Sequence, residues 1–274
     1  MMTLPTLQKK VLEDYDLQTL PPFDEIAYGP VKSRRLGESL GIDLLGPAKK
    51  ICNFNCPYCE LGLTDIKVSQ IKKLMTFPTL EQIEESLNRK ITSLSRNKNQ
   101  PAYITFSGNG EPTLHPDFAA AVALVKKVRD RLLPKTKITV LTNGSTLGDS
   151  HIIKALNECD ARMVKMDAGN DEVLMKIDSP LTRTNLTKLI QGTKALSDVI
   201  LQTMFIRGIA DNTSPDHIDD WIEVVGLIRP AAVHLYSIDK LPAVAGIIPV
   251  PKQRLKEIAN LLEKRIKISA LIFS

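Results

Sequence analysis

From residue 48 onward the chain alternates short apolar runs with longer amphipathic stretches, and this restricts the fold more than any other feature. Lys50-Ile51-Cys52, Tyr103 to Ser107, Ile138 to Leu141, Met163 to Met166, Val199 to Ile206 and Val233 to Tyr236 read as strands. Leu80 to Leu94, Phe118 to Leu132, Ser150 to Glu158, Leu186 to Leu196, Pro215 to Ile228 and Gln253 to Lys264 carry helical periodicity. Ile266 to Phe273 reads as a closing strand. Strands that alternate with helices build a parallel sheet. Six such units are too few for a full eight-unit barrel. They suit an open doubly wound sheet or a partial barrel, and periodicity does not choose between the two. Ahead of them, residues 26–47 are rich in Gly and Pro and read as a small β-hairpin or collar, preceded by a peripheral lead-in. The expected organisation is therefore 1–47 as extension and hairpin, 48–250 as core, and 251–274 as terminal helix and strand.

The 274 residues are 43% hydrophobic and 24% charged, which suits one soluble globular domain. A net charge of +5 permits an anionic partner such as RNA without requiring one. No apolar run reaches the roughly 18 residues of a membrane span. The stretch MMTLPTLQKKVLEDYD is charged and has no apolar signal core, so a cytoplasmic location is expected. Three of the four cysteines lie within eight residues. A disulfide framework would spread them through the chain, so metal ligation is the better reading.

Those three are Cys52, Cys56 and Cys59, spaced C-x3-C-x2-C in Cys52-Asn53-Phe54-Asn55-Cys56-Pro57-Tyr58-Cys59. Three thiolates on a four-iron cluster leave one iron without a protein ligand, open to a substrate. Structural zinc is the competing reading, but it is usually closed by a fourth ligand. Cys159, at the end of a predicted helix, is better read as a small buried residue.

Further motifs follow the predicted strands. Ser107-Gly108-Asn109-Gly110-Glu111-Pro112 lies at the C-terminal end of one, where barrel sites sit. Its glycines open the backbone to a ligand, and Glu111 can accept from an ammonium. Leu141-Thr142-Asn143-Gly144 ends the next. In Met163-Val164-Lys165-Met166-Asp167, strand alternation turns Val164 and Met166 toward the helices and Lys165 and Asp167 inward. Charges inside a barrel are costly and usually functional. By the same logic His234 and Tyr236 point in. Arg34 and Arg35 suit phosphate or carboxylate recognition.

The cysteine spacing, with aromatic Tyr58 before the third cysteine, resembles the radical S-adenosylmethionine (SAM) superfamily. The resemblance implies α/β architecture as a partial (β/α)6 TIM-like barrel, with the cluster loop after the first strand and an N-terminal hairpin collar. It implies an enzyme whose [4Fe-4S] cluster, on Cys52, Cys56 and Cys59, binds S-adenosylmethionine through the open iron. One electron then cleaves the sulfonium and yields a 5′-deoxyadenosyl radical that takes hydrogen from a substrate. Gly108, Asn109, Gly110 and Glu111 resemble the Gly-Gly-Glu motif that contacts the methionine amino group, with Asn109 in place of the second glycine. Tyr58, Thr142, Asn143, Lys165 and Asp167 complete the expected cofactor contacts. Arg34, Arg35, His234 and Tyr236 are then left for substrate.

Tyr28-Gly29-Pro30-Val31-Lys32-Ser33-Arg34-Arg35-Leu36-Gly37 is similar to a signature of one branch of single-cluster oxidoreductases in the superfamily. So is Asp239-Lys240-Leu241-Pro242-Ala243, where Arg and Pro would be expected at 240 and 241. The resemblance spans roughly residues 26–250. That branch is related to wybutosine-forming tRNA-modifying enzymes, whose archaeal members carry additional N-terminal cysteines not found here. A nucleoside or RNA substrate is expected first and a small metabolite next. Making a glycyl radical on a partner protein is a third course. An iron-sulfur electron carrier or sensor without catalysis is the rival from another class. An external one-electron reductant, flavodoxin- or ferredoxin-like, is implied throughout.

Overall fold

The computed structural model describes residues 25–46, 49–64, 77–96 and 100–273. The peripheral lead-in at residues 1–24 lies outside the described residues. The chain begins as a hairpin, β1 (Ala27–Ser33) and β2 (Gly37–Ile42), paired antiparallel. It continues through α1 (Leu80–Arg96), β3 (Tyr103–Phe106), α2 (Phe118–Leu132), β4 (Lys137–Thr142), α3 (Ser150–Asn157) and β5 (Ala161–Lys165). Two short helices follow, α4 (Asp171–Ile177) and α5 (Leu186–Lys194), then β6 (Ile200–Met204), β7 (Ile206–Gly208) and α6 (Pro215–Ile228). The chain ends with β8 (Ala232–Tyr236), β9 (Ile247–Pro249), α7 (Lys252–Ile266) and β10 (Ala270–Phe273).

Eight strands form one sheet in the order β1-β2-β3-β4-β5-β6-β8-β10, and all its pairings except β1–β2 are parallel. This is a curled α/β half-barrel of the partial TIM type. One sheet face is apolar: Leu40, Ile42, Ile104, Phe106, Val140, Val164, Leu201, Val233 and Leu235 are each 0% exposed. Full burial of each such side chain contributes about 1.5–3 kcal/mol. The opposite face is polar, carrying Ser39, Thr105, Thr139, Lys165, Gln202 and His234. The helices close over the apolar face through Phe106 against Phe118 and Phe205 against Trp221, both edge-to-face. The hairpin, the core units and α7 share one hydrophobic core, from Ala27 to Leu262.

Two sequence expectations change. Lys50-Ile51-Cys52 is not a strand, since only Ile51 makes a bridge, to Gly110. The first strand of the barrel is β2, taken from the hairpin: Leu40, Gly41 and Ile42 pair in register with Ile104, Thr105 and Phe106. The collar is thus built into the barrel wall, because Leu40 and Ile42 bury completely beneath the helices. The run Val199 to Ile206 divides at Phe205. Asn212 inserts there, its Oδ1 accepting from Ile206 N at 2.9 Å and its Nδ2 donating to the Met204 carbonyl at 2.9 Å. The chain beyond turns into a two-stranded ribbon of β7 and β9.

Candidate active site

The cysteine loop is clamped to the Gly108–Glu111 segment by backbone bonds. Ile51 N donates to the Asn109 carbonyl at 2.7 Å, and Glu111 N donates to the Ile51 carbonyl at 3.0 Å. This approach demands glycine at 110: φ is +139°, and a Cβ would lie 1.8 Å from the Ile51 oxygen. On the loop's other flank, Asn55 N donates to the Asp178 carbonyl at 3.1 Å and Leu181 N to the Asn53 carbonyl at 2.8 Å. Val244 N donates to the Pro57 carbonyl at 3.0 Å, which ties the segment after β8 to the same loop.

The three thiols share this loop and feel one another electrostatically. Burial pushes the Cys52 thiol up to about 11, with Lys50 pulling it back. Burial raises Cys56 well above the usual thiol range, opposed by Lys165. Cys52 Sγ accepts from Phe54 N at 3.4 Å and lies 3.8 Å from Asn143 Nδ2. The Cys56 thiol donates to the Asp178 carbonyl at 3.6 Å. Three soft sulfurs on one loop, with amide donors beside Cys52, suit an iron-sulfur cluster. Cys159 stands apart at the end of α3, its thiol directed to the Ala155 carbonyl.

Glu111 is a hub. Its Oε1 accepts from Thr113 N at 3.2 Å, Thr113 Oγ1 at 2.5 Å and Thr142 Oγ1 at 2.7 Å. Its Oε2 accepts from Asn143 N at 2.7 Å. Burial raises its pKa, and these hydrogen bonds oppose the rise. Asn143 Nδ2 in turn donates to Asn53 Oδ1 at 2.9 Å, inside the cysteine loop. Asn109 behaves differently from its neighbours. Its side-chain amide donates to Asp43 Oδ2 at 2.6 Å and to the Gly46 carbonyl at 3.2 Å. Asn109 is 1% exposed, so its side chain braces the loop from behind.

At β5, Lys165 projects to the polar face and Val164 to the helices. Lys165 Nζ donates to Tyr58 Oη and to Asp167, and pairs with Asp178. The Tyr58 hydroxyl donates to Asp167. Asp167 Oδ1 also accepts from Met204 N at 2.8 Å. Burial works against the Lys165 charge, but Asp167 and Asp178 together outweigh it and raise its pKa. Burial raises Asp167, and pushes Asp178 up to about 7 against the pull of Lys165. Tyr58, Lys165 and Asp167 thus form one cluster beside Cys56. Asp178 belongs to it without any signal in the sequence, being a lone carboxylate at the end of a short helix.

Lys165, Gln202 and His234 occupy matching positions on β5, β6 and β8. His234 is 6% exposed, packs edge-on to Phe273 at 4.8 Å, and is pushed down to about 4 by burial and by Arg35. One turn of the pleat higher stands Tyr236, with the Arg35 guanidinium 4.3 Å from its ring centroid. Arg34 pairs with Asp239 at 3.0 Å. The structure brings these four residues to one side, along with Glu60, whose pKa burial raises against Lys240, Arg35 and Arg34. Sequence reading missed Asn53, Glu60, Asp178 and Gln202. Adjacency to Cys52 and Cys59 was a usable signal for Asn53 and Glu60.

Comparison with known proteins gives a consistent picture. The radical SAM superfamily model matches residues 49–228. A UPF0026 protein of Helicobacter pylori is 30% identical over 221 residues, covering 78% of this chain and 67% of that one. Its name carries no reaction. A radical SAM methyltransferase from Sphaerobacter thermophilus superposes with a TM-score of 0.63 at 16% identity, covering 85% of this chain and 65% of that one. TYW1 with a lysine-pyruvate adduct bound gives 0.63 at 17% identity, covering 94% and 81%. These two likenesses establish the fold. No described helix is long and apolar enough to cross a membrane. The family match runs from the cysteine loop to the end of α6, so this chain belongs to the radical SAM superfamily, as an enzyme that uses a [4Fe-4S] cluster and S-adenosylmethionine.

Proposed function

We propose that Cys52, Cys56 and Cys59 hold three irons of the cluster, and that S-adenosylmethionine lies between Gly108–Glu111, Thr142 and Asn143 on one side and Tyr58, Lys165 and Asp167 on the other. The observation that carries this is convergence: four separate segments meet the cysteine loop, each with buried polar groups. When bound and reduced by one electron, the cluster supplies cleavage of S-adenosylmethionine to a 5′-deoxyadenosyl radical that abstracts hydrogen from the substrate. The chain's own residues bind and orient. Glu111 has one Oε2 lone pair left for an ammonium donor, and its other bonds hold it still. Lys165 and Asp167 form a buried ion pair beside Cys56, whose fixed polar groups suit the carboxylate and amino groups of the cofactor's methionine part.

The substrate proposed is a nucleoside or RNA. Arg35 stacked on Tyr236, with Arg34 beside it, offers cations and an aromatic face together, which suits a phosphorylated base. A small anionic metabolite is the second reading, since the two arginines alone would satisfy it. The test has two stages. Anaerobic reconstitution should give about four irons per chain, and dithionite should then drive uncoupled cleavage to 5′-deoxyadenosine. The reduced enzyme is next incubated with cell extract and S-adenosylmethionine. A mass change confined to digested RNA nucleosides supports the first substrate reading. A change in a free metabolite supports the second, and a glycyl radical on a protein would replace both.

A further inference from the structure

Residues 178–181 pack along one flank of the cysteine loop. Phe54 bridges to Pro180, and Leu181 N holds the Asn53 carbonyl at 2.8 Å. Beside this segment opens a cleft of about 620 Å³, whose lining includes Asn53, Ser145, Thr182, Arg183 and Lys188. The lining carries two cations and no carboxylate. Both cations are exposed. Two large apolar side chains stand open on the same segment and the helix before it, Leu181 at 44% exposure and Met175 at 56%.

Asn53 joins this surface to the sulfurs. It is covalently next to Cys52, and its Oδ1 accepts from the same Asn143 Nδ2 that lies 3.8 Å from Cys52 Sγ. Electron transfer falls off steeply with distance, and Asn53, which lines the cleft, is the residue next to Cys52 in the chain. The Arg34–Arg35 opening lies elsewhere. It is built from the hairpin and β8, toward the two ends of the sheet order, whereas the cleft is lined from the loop after β4 and from α3 and α5, nearer its middle. A reductant and a substrate can therefore be held at once.

We propose that this cleft, with Leu181 and Met175 at its side, is the docking surface for an acidic one-electron carrier protein of the flavodoxin or ferredoxin kind. The proposal rests on the cluster being held by Cys52, Cys56 and Cys59. One electron leaves the carrier, which is oxidised by one equivalent, and enters the cluster, with no bond made or broken. The apolar pair supplies the contact area, and the cations supply orientation and association rate.

The test uses reconstituted holoenzyme and a reduced flavodoxin, with cluster reduction followed by stopped-flow absorbance. R183E/K188E should lower the second-order rate about 10-fold or more at low salt. The wild-type rate should fall as salt is added, while that of the variant should barely respond. R183Q/K188Q should fall between them. Dithionite, being small, should drive uncoupled cleavage in both variants at the wild-type rate. Reduction by flavodoxin at the wild-type rate in the charge-reversed variant would overturn the proposal. So would an equal loss of the dithionite-driven reaction in both variants, because the cations would then belong to the cofactor site. Failure of the cofactor reading looks different: wild-type protein would take up iron and accept electrons from flavodoxin, yet leave S-adenosylmethionine intact.

Discussion

The floor of the site and its mouth handle charge in opposite ways. On the floor, the side chains of Lys165, Asp167 and Asp178 are 17%, 0% and 3% exposed and share one ion-pair network. At the mouth, Arg34 and Asp239 are 36% and 47% exposed and make a single pair. Buried ions hold a fixed geometry because leaving any one unpaired is costly, whereas exposed ions are screened and lose little by parting. A rigid floor suits a cofactor that is always the same. A mouth of loosely held arginines can exchange Asp239 for an incoming anion at small cost.

The largest effect should come from the cysteines. Alanine at Cys52, Cys56 or Cys59 should abolish the cluster, seen as loss of iron and sulfide after reconstitution, while Cys159→Ala keeps it. Equal loss in Cys159→Ala would break the three-thiolate assignment. Next comes Lys165→Met, which leaves two carboxylates facing each other in the floor. It should destabilise the apo-protein by about 3–5 kcal/mol in urea unfolding. A change under about 1 kcal/mol would place this network with the mouth rather than the floor.

Glu111→Ala should keep iron but weaken S-adenosylmethionine binding by about 1.5–3 kcal/mol, read by calorimetry. It should also free Thr142 and Asn143, which the carboxylate now holds.

His234 lies between the two regions and has a pH signature. Its folded pKa of about 4 is depressed below the ordinary 6.5 by burial and by Arg35. Between these values the unfolded chain binds the extra proton, so stability rises with pH across that window and this contribution is lost as pH falls. His234→Gln should flatten the slope of unfolding free energy between pH 4 and 6.5. An unchanged slope would show that His234 is charged in the folded protein. The smallest effect is expected at the mouth. Arg34→Ala should cost less than about 1 kcal/mol of stability and leave uncoupled cleavage intact, impairing only turnover on the true substrate.

Local pattern made several of these residues legible. The spacing of Cys52, Cys56 and Cys59 needs only one loop, and the Lys165-Met166-Asp167 run needs only the two-residue period of a strand. Helices such as Phe118–Leu132 and Pro215–Ile228 occur at the expected bounds, since amphipathic periodicity and the Pro215 start are local signals. The short α4 was not legible: seven residues make too little of a helical period to stand out.

What the sequence determined, then, is everything carried by near neighbours: the alternation of strands and helices, the triad of thiols, and the face on which Lys165 projects. Tertiary structure alone decided which strand opens the barrel, because β2 and Lys50-Ile51-Cys52 both look extended and only pairing with β3 separates them. It bonded the Asn109 side chain to Asp43 across 66 positions of chain. It brought Asp178 to Cys56 across 122 positions. No local period encodes a contact between residues so far apart. Such contacts form only when the curled sheet brings the C-terminal ends of its strands together around one loop.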